Sequence, residues 1–244
     1  MLRFFRSIRQ NLLNENKTVQ YLKYAIGEIF LIMIGIFLAL ELNNWNEGRQ
    51  LREKERVFLQ DLAENLALNI DNLQDELHDI ERFNESTAII FSLLKNPQQD
   101  IESVDAHWHG SLINKSQFNL SVAGYESLKN SGFDIVQNET LKKEIINLHE
   151  DTYLKMDRSR SWGVEFPPLW DKFVVEHFFK SHTDTGETKK GLMPRDINFI
   201  TKSDYFFGLV ETAESQRNFI KDFYETSLEE TQRVLELINA ELAK

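Results

Sequence analysis

The chain contains no cysteine at all, only four prolines and ten glycines in 244 residues. The first absence excludes disulfides, thiol catalysis and zinc–thiolate sites, and leaves the compartment open. So few breakers argue against an all-β fold with many tight turns and favour long helices. Characteristic chemical motifs are also missing. The sequence holds no phosphate-binding glycine loop, no GxGxxG, no HExxH and no GxSxG. What it does hold is an excess of acid, with a formal net charge of −11. An acidic surface repels phosphate backbones, so nucleic acid is not an expected partner.

That charge is unevenly spread. Arg3, Arg6, Arg9, Lys17 and Lys23 stand against Glu15 in residues 1–23, a net of +4. Glu28 and Glu41 bring residues 1–45 to +2, which leaves −13 for residues 46–244 out of the total of −11. A basic head on an acidic body points to anionic lipid near the N-terminus. Leu2, Phe5, Ile8, Leu12 and Leu13 recur at helical spacing, with Arg3, Arg6 and Arg9 on other faces. This pattern suits an amphipathic helix on headgroups. It equally suits a basic tail that only sets topology, since thirteen residues make a marginal helix in water.

One long apolar run follows, YAIGEIFLIMIGIFLALEL, from Tyr24 to Leu42. With Glu28 near one end and Glu41 near the other, it reaches the ~20 residues that a membrane helix needs. Tyr21, Tyr24 and Trp45 bracket it as interfacial aromatics do. A soluble core helix would show a polar face, and Ile29–Leu40 has none. A signal peptide would have a shorter basic head and a small-residue cleavage site, which LALELNNW does not supply. The expected organisation is therefore a basic interfacial segment at 1–23, a transmembrane helix at 24–45 and an acidic helical bundle at 46–244. Basic residues lie on both sides of the run. The count leans to a cytoplasmic N-terminus with the C-terminal domain outside.

Within the run, Glu28 and Gly35 are seven apart and share one helix face. Gly27 lies beside it, and Gly35-x-x-x-Ala39 is a small-xxx-small pair of the kind that lets membrane helices approach closely. One reading is a homo-oligomeric interface formed by Gly27, Glu28, Gly35 and Ala39, with the Glu28 carboxyl sheltered from lipid. The other is a Glu28 that snorkels to the headgroups beside incidental small residues.

The body reads as helices. From Leu59 a seam runs through Ala63, Leu66, Ile70, Leu73, Leu77, Ile80, Asn84, Thr87, Phe91 and Leu94 in a 4-3 rhythm, to stop near Asn96-Pro97. A second long helix starts at Ser203 and carries Phe206, Leu209, Val210, Ala213, Ile220, Phe223, Leu228, Leu235, Ile238 and Leu242. It could lie antiparallel to the first. Between them, Ser121 and Asn138 are expected caps, Gly132 an expected stop, and Pro167-Pro168 an expected helix start. The segment 181–196 reads as loop. The fold class expected is all-α.

Candidate chemistry is sparse. Asp105, His107 and His109 alternate, and in an extended segment they would converge on one side as metal ligands. Without a fourth ligand in view, a polar connection around a buried Trp108 explains them as well. His149-Glu150-Asp151 reads as a solvated run on a helix. Phe166, Trp170, Phe173, Phe178 and Phe179 could line a pocket or a partner groove, but aromatics at helical spacing are more often core.

Tyr24-Ala25-Ile26-Gly27-Glu28-Ile29, Ile34-Gly35-Ile36, Ala39-Leu40 and Leu42-Asn43-Asn44-Trp45-Asn46-Glu47 resemble an uncharacterised family of single-span membrane proteins, a domain of unknown function common in Bacteroidota. Ser131-Gly132-Phe133-Asp134-Ile135, with Asn138 and Leu141, is similar to its middle region. The resemblance implies an inner-membrane protein of a Gram-negative bacterium and brings no activity and no site residues. The expected function is a membrane-anchored, non-enzymatic interaction, sensing or scaffold protein without a cofactor. Its expected partners are the lipid bilayer, further copies of itself and other membrane or periplasmic proteins. The alternatives are a subunit of an ion- or proton-coupled complex using Glu28, and a metal-dependent enzyme at Asp105, His107 and His109.

Overall fold

A computed structural model describes residues 18–98, 104–112, 119–161, 166–182 and 188–244. Arg3, Arg6 and Arg9, and with them most of the basic head, lie outside the described residues. The chain divides into two compact units, Met1–Glu55 and Arg56–Lys244. Helix α1, Thr18–Lys95, supplies everything described of the first unit and opens the second. It ends where expected, one residue before Asn96-Pro97, because proline cannot continue the hydrogen-bond ladder and biases its predecessor away from helix.

Among the described residues, the regular structure of the second unit is helical apart from one hairpin. After α1 come α2 (Asp105–Leu112), α3 (Ala123–Ser131), α4 (Glu139–Asn147) and α5 (Tyr153–Ser161). Then come α6 (Phe166–His177), strands β1 (Phe178–His182) and β2 (Thr188–Pro194), the short α7 (Ile197–Ile200) and the long α8 (Asp204–Leu242). Two local signals read from the sequence set helix starts here. The Asn138 side chain accepts from the N–H groups of Thr140 and Leu141 at the head of α4. The Ser203 side chain accepts from Phe206 N–H at the head of α8. Both satisfy donors that the first helical turn leaves bare. Gly132 follows α3 at φ 94°, a left-handed conformation that costs other residues more than glycine.

Helices α1 and α8 run antiparallel, as their shared cores require. Leu59, Leu62 and Leu66 pack with Val234 and Ile238. Leu73 and Ile80 pack with Ile220 and Tyr224. Ile90 and Leu93 pack with Phe206, Leu209, Val210 and Ala213. Rising numbers on one helix meet falling numbers on the other. The α1 seam is therefore satisfied within the chain. Each fully buried Leu along it contributes about 1.5–3 kcal/mol relative to exposure.

The structure corrects three local expectations. Ser121 is not the cap of α3: the N-cap is Val122, which makes no side-chain cap bond. Asn65 of α1 caps α3 instead, accepting from Gly124 N–H at 3.0 Å and from the Ser121 hydroxyl at 2.8 Å. Glycine at 124 permits this close approach, since a Cβ there would sit 3.0 Å from the Leu62 Cα, tighter than ordinary contact. The segment 181–196, read as loop, holds strand instead. Phe178 pairs with Pro194, Phe179 with Met193 and Lys180 with Leu192, antiparallel, with an irregularity between Lys180 and His182. Phe178 and Phe179 therefore alternate across a strand, one buried and one exposed, rather than extending α6. Finally, Asp105–Leu112 is helical and not extended. Its Trp108 is wholly buried between Phe178 and Phe206, with ring centroids 5.8 and 5.9 Å away.

Candidate functional site

In the first unit the described chain is one helix, and its apolar stretch from Ile29 onward is uncovered among the described residues. An 18-residue window there has a mean hydropathy of 2.3 and none of it is buried. Every residue from Ile29 to Trp45 is exposed. By length and composition this helix could cross a membrane, and its full exposure sets it apart from the core helix of a soluble protein. A Cβ added at Gly27 or Gly35 would meet nothing within 4 Å. Among the described residues, nothing therefore demands glycine at either position. Glu28 is half-buried. Helical spacing places Glu28, Gly35 and Ala39 toward one side of α1, with Gly27 beside them.

The second unit carries three polar constellations inside its core, and sequence reasoning named none of them as such. Asn65 and Asn69, one turn apart on α1, clamp the chain entering α3. Asn69 accepts from Ser121 N–H at 2.6 Å and donates to the Ser121 carbonyl at 2.9 Å. The second constellation centres on Arg217 of α8, which is 1% exposed. Its guanidinium donates to Asn84 Oδ1 at 2.8 Å and Thr87 Oγ1 at 2.6 Å. Burial lowers its pKa to about 10, opposed by Glu214, so the cation persists at neutral pH. A trace of this was present in the sequence. Asn84 and Thr87 interrupt the apolar seam of α1, and Arg217 fills the gap between Ala213 and Ile220 on α8. Polar residues at core positions of two facing helices predict one another, because a buried polar group needs a partner.

The third constellation overturns the reading of His149 as solvated. Leu148–Thr152 forms a π-helical turn between α4 and α5. The extra residue in that turn rotates His149 into the core. Its ring stacks on Tyr125 at 4.0 Å and 6°, and meets Tyr153 edge-on at 5.1 Å. Nδ1 lies 3.0 Å from the Ile145 carbonyl. A carbonyl only accepts, so Nδ1 carries the proton and Nε2 keeps its lone pair. Nε2 is buried without a hydrogen bond among the described residues. Burial lowers the pKa of His149 to about 4 against smaller opposing effects of the Ile145 carbonyl and Glu150. Glu150 itself points the other way, accepting from Tyr125 Oη and Lys129 Nζ, each at 2.7 Å. The donation from Lys129, then that from Tyr125, lowers the Glu150 pKa. This is a satisfied structural cluster with one bare imidazole nitrogen.

The metal reading of Asp105, His107 and His109 loses its geometric premise. On a helix His107 and His109 point about 200° apart. His107 Nδ1 lies 3.1 Å from the Ser86 hydroxyl, while His109 is exposed. Among the described residues no three His, Cys, Asp or Glu side chains are grouped to hold a metal ion. Phe173 and Phe178 join the core, as expected of them, and Trp170 packs against it. No family model, no curated protein and no solved structure matches this chain.

Proposed function

We propose that this is a membrane-anchored, non-enzymatic interaction or sensing protein that self-associates through residues 24–45. In this reading the N-terminus is cytoplasmic, the membrane is a bacterial inner membrane, and residues 46–244 present a helical bundle to membrane or periplasmic partners. The observation that carries it is the exposed apolar shell from Ile29 to Trp45. So much uncovered hydrocarbon is costly in water and favourable in a bilayer. Gly35 and Ala39 supply the close-contact stripe, since small residues let two backbones approach without a cavity.

Crosslinking in native membranes tests the assembly. Single cysteines placed along residues 27–42 are informative because the background has none. Crosslinks are expected to peak at positions 28, 35 and 39. Uniform crosslinking, or none at any position, reduces the segment to an anchor. A reporter fused after Lys244 checks the orientation in the same cells. Activity is expected only outside the cytoplasm, and cytoplasmic activity would recast residues 46–244 as a cytosolic module.

A further inference from the structure

Just beyond the apolar stretch, Trp45, Arg49 and Arg52 recur at spacings of four and three. That places all three within roughly 60° of helix arc. All are exposed. The Arg49 guanidinium lies over the Trp45 ring, 5.6 Å from its centroid. Such a stack orients the planar fork and leaves its N–H edges open. Among the described residues, neither Arg49 nor Arg52 is held in an ion pair. The neighbouring acids do not occupy the stripe between them. Glu47 lies toward the opposite side and accepts from Asn43 at 2.7 Å. Glu41 precedes Trp45 by one turn, at the apolar end. Glu53 flanks Arg49 one turn farther out, and Glu55, three residues past Arg52, is buried.

The heights suit a headgroup. At 1.5 Å per residue, Arg49 lies about 10 Å and Arg52 about 15 Å past Leu42. The polar layer of a bilayer is roughly 5–8 Å thick on each side. Helical side chains lean toward the N-terminus, and long basic ones extend along apolar surface; Arg49, whose guanidinium lies over Trp45, is drawn back toward that layer, and Arg52 faces it from the outer side. Trp45 sits at its inner edge, where indole is favoured.

We infer that Trp45, Arg49 and Arg52 form a binding site for the phosphate of an anionic phospholipid in the leaflet facing residues 46–244. The inference rests on residues 24–45 spanning the membrane. Two guanidinium forks complement one phosphate, with bidentate hydrogen bonds that a lysine cannot reproduce. A zwitterionic headgroup would bring its own ammonium toward two cations, whereas phosphatidylglycerol brings none. The site is therefore selective for charge and distinct from Arg3, Arg6 and Arg9.

The test offers full-length protein in detergent equal amounts of phosphatidylglycerol and phosphatidylcholine, and reads retained lipid by native mass spectrometry. Wild type is expected to retain phosphatidylglycerol preferentially. R49Q should weaken that retention about fivefold, and R49Q/R52Q further, as expected for loss of basic contacts at a membrane surface. R49K should fall between wild type and R49Q, and W45A should weaken retention with both charges in place. The triple variant R3Q/R6Q/R9Q should retain the lipid, and excess inorganic phosphate should not displace it. Wild-type retention by R49Q/R52Q, loss in R3Q/R6Q/R9Q, or displacement by phosphate would overturn the inference. Alkaline carbonate extraction of wild type from vesicles separates the two readings. Protein that washes off removes the span itself, whereas protein that stays while R49Q/R52Q binds lipid normally removes only this site.

Discussion

Leu73→Ala should destabilise the protein by ~2–5 kcal/mol, the range for buried leucine truncations. Leu73 is fully buried and packs in a cluster with Ile80, Met156, Ile220 and Tyr224. That cluster joins α1, α5 and α8 at once, so neighbours fixed on three helices cannot collapse into the void. Asp75, two residues on, is exposed. Asp75→Ala should change stability by less than ~0.5 kcal/mol. Denaturant unfolding of the full-length protein in detergent distinguishes the two, read as a shifted midpoint at unchanged slope. Equal effects from both substitutions would show that the seam does not hold the bundle together.

Acidification should cost about 3 kcal/mol through His149 alone. Its pKa lies at about 4 in the folded chain, against 6.5 when unfolded, and each unit is worth about 1.4 kcal/mol. Between those values the unfolded chain takes up a proton that the folded chain refuses. Stability therefore falls as pH drops from about 7 toward 4 and then levels off for this group. About 2 kcal/mol of the loss should be visible by pH 5. Glu139, Glu150 and Glu241, whose pKa values are lowered from 4.5, act mainly below that pH. His149→Phe keeps an aromatic ring beside Tyr125 and removes the titrating nitrogen. The variant should lose most of the slope between pH 7.5 and pH 5, even where its stability at pH 7.5 is lower. An unchanged slope would mean that another group carries the acid sensitivity. His109, exposed at its surface but with a pKa lowered by partial desolvation, would be the next to test.

Much of the bundle was legible in the sequence because its signals are local. The α1 seam has a 3.5-residue period over many turns, and Asn138, Ser203, Gly132 and Asn96-Pro97 punctuate helices through their own backbone bonds. The failures share a different cause. Ser121 has the chemistry of a cap, but Asn65, 56 residues away, takes the role. His149 sits in a polar triplet that looks solvated, and only a one-residue π insertion turns it inward. The hairpin at 178–194 was hidden because Phe178-Phe179 continue an aromatic pattern that helix and strand can share. Trp108 is buried as its apolar ring leads one to expect, but the alternation of Asp105, His107 and His109 suggests an extended segment, since eight residues are too few for periodicity to decide.

The sequence by itself determined the all-helical class, the apolar segment at 24–42, the charge asymmetry and the two long helices, for each follows from composition or from spacing along one element. The tertiary structure alone decided that α8 runs back along α1, that Asn84 and Thr87 meet Arg217, and that Asn65 and Asn69 grip the entry to α3. Those are encounters between residues far apart in the chain. A buried donor is satisfied by whichever acceptor the packing brings within about 3 Å, and no periodicity along one helix says which face of another will arrive there.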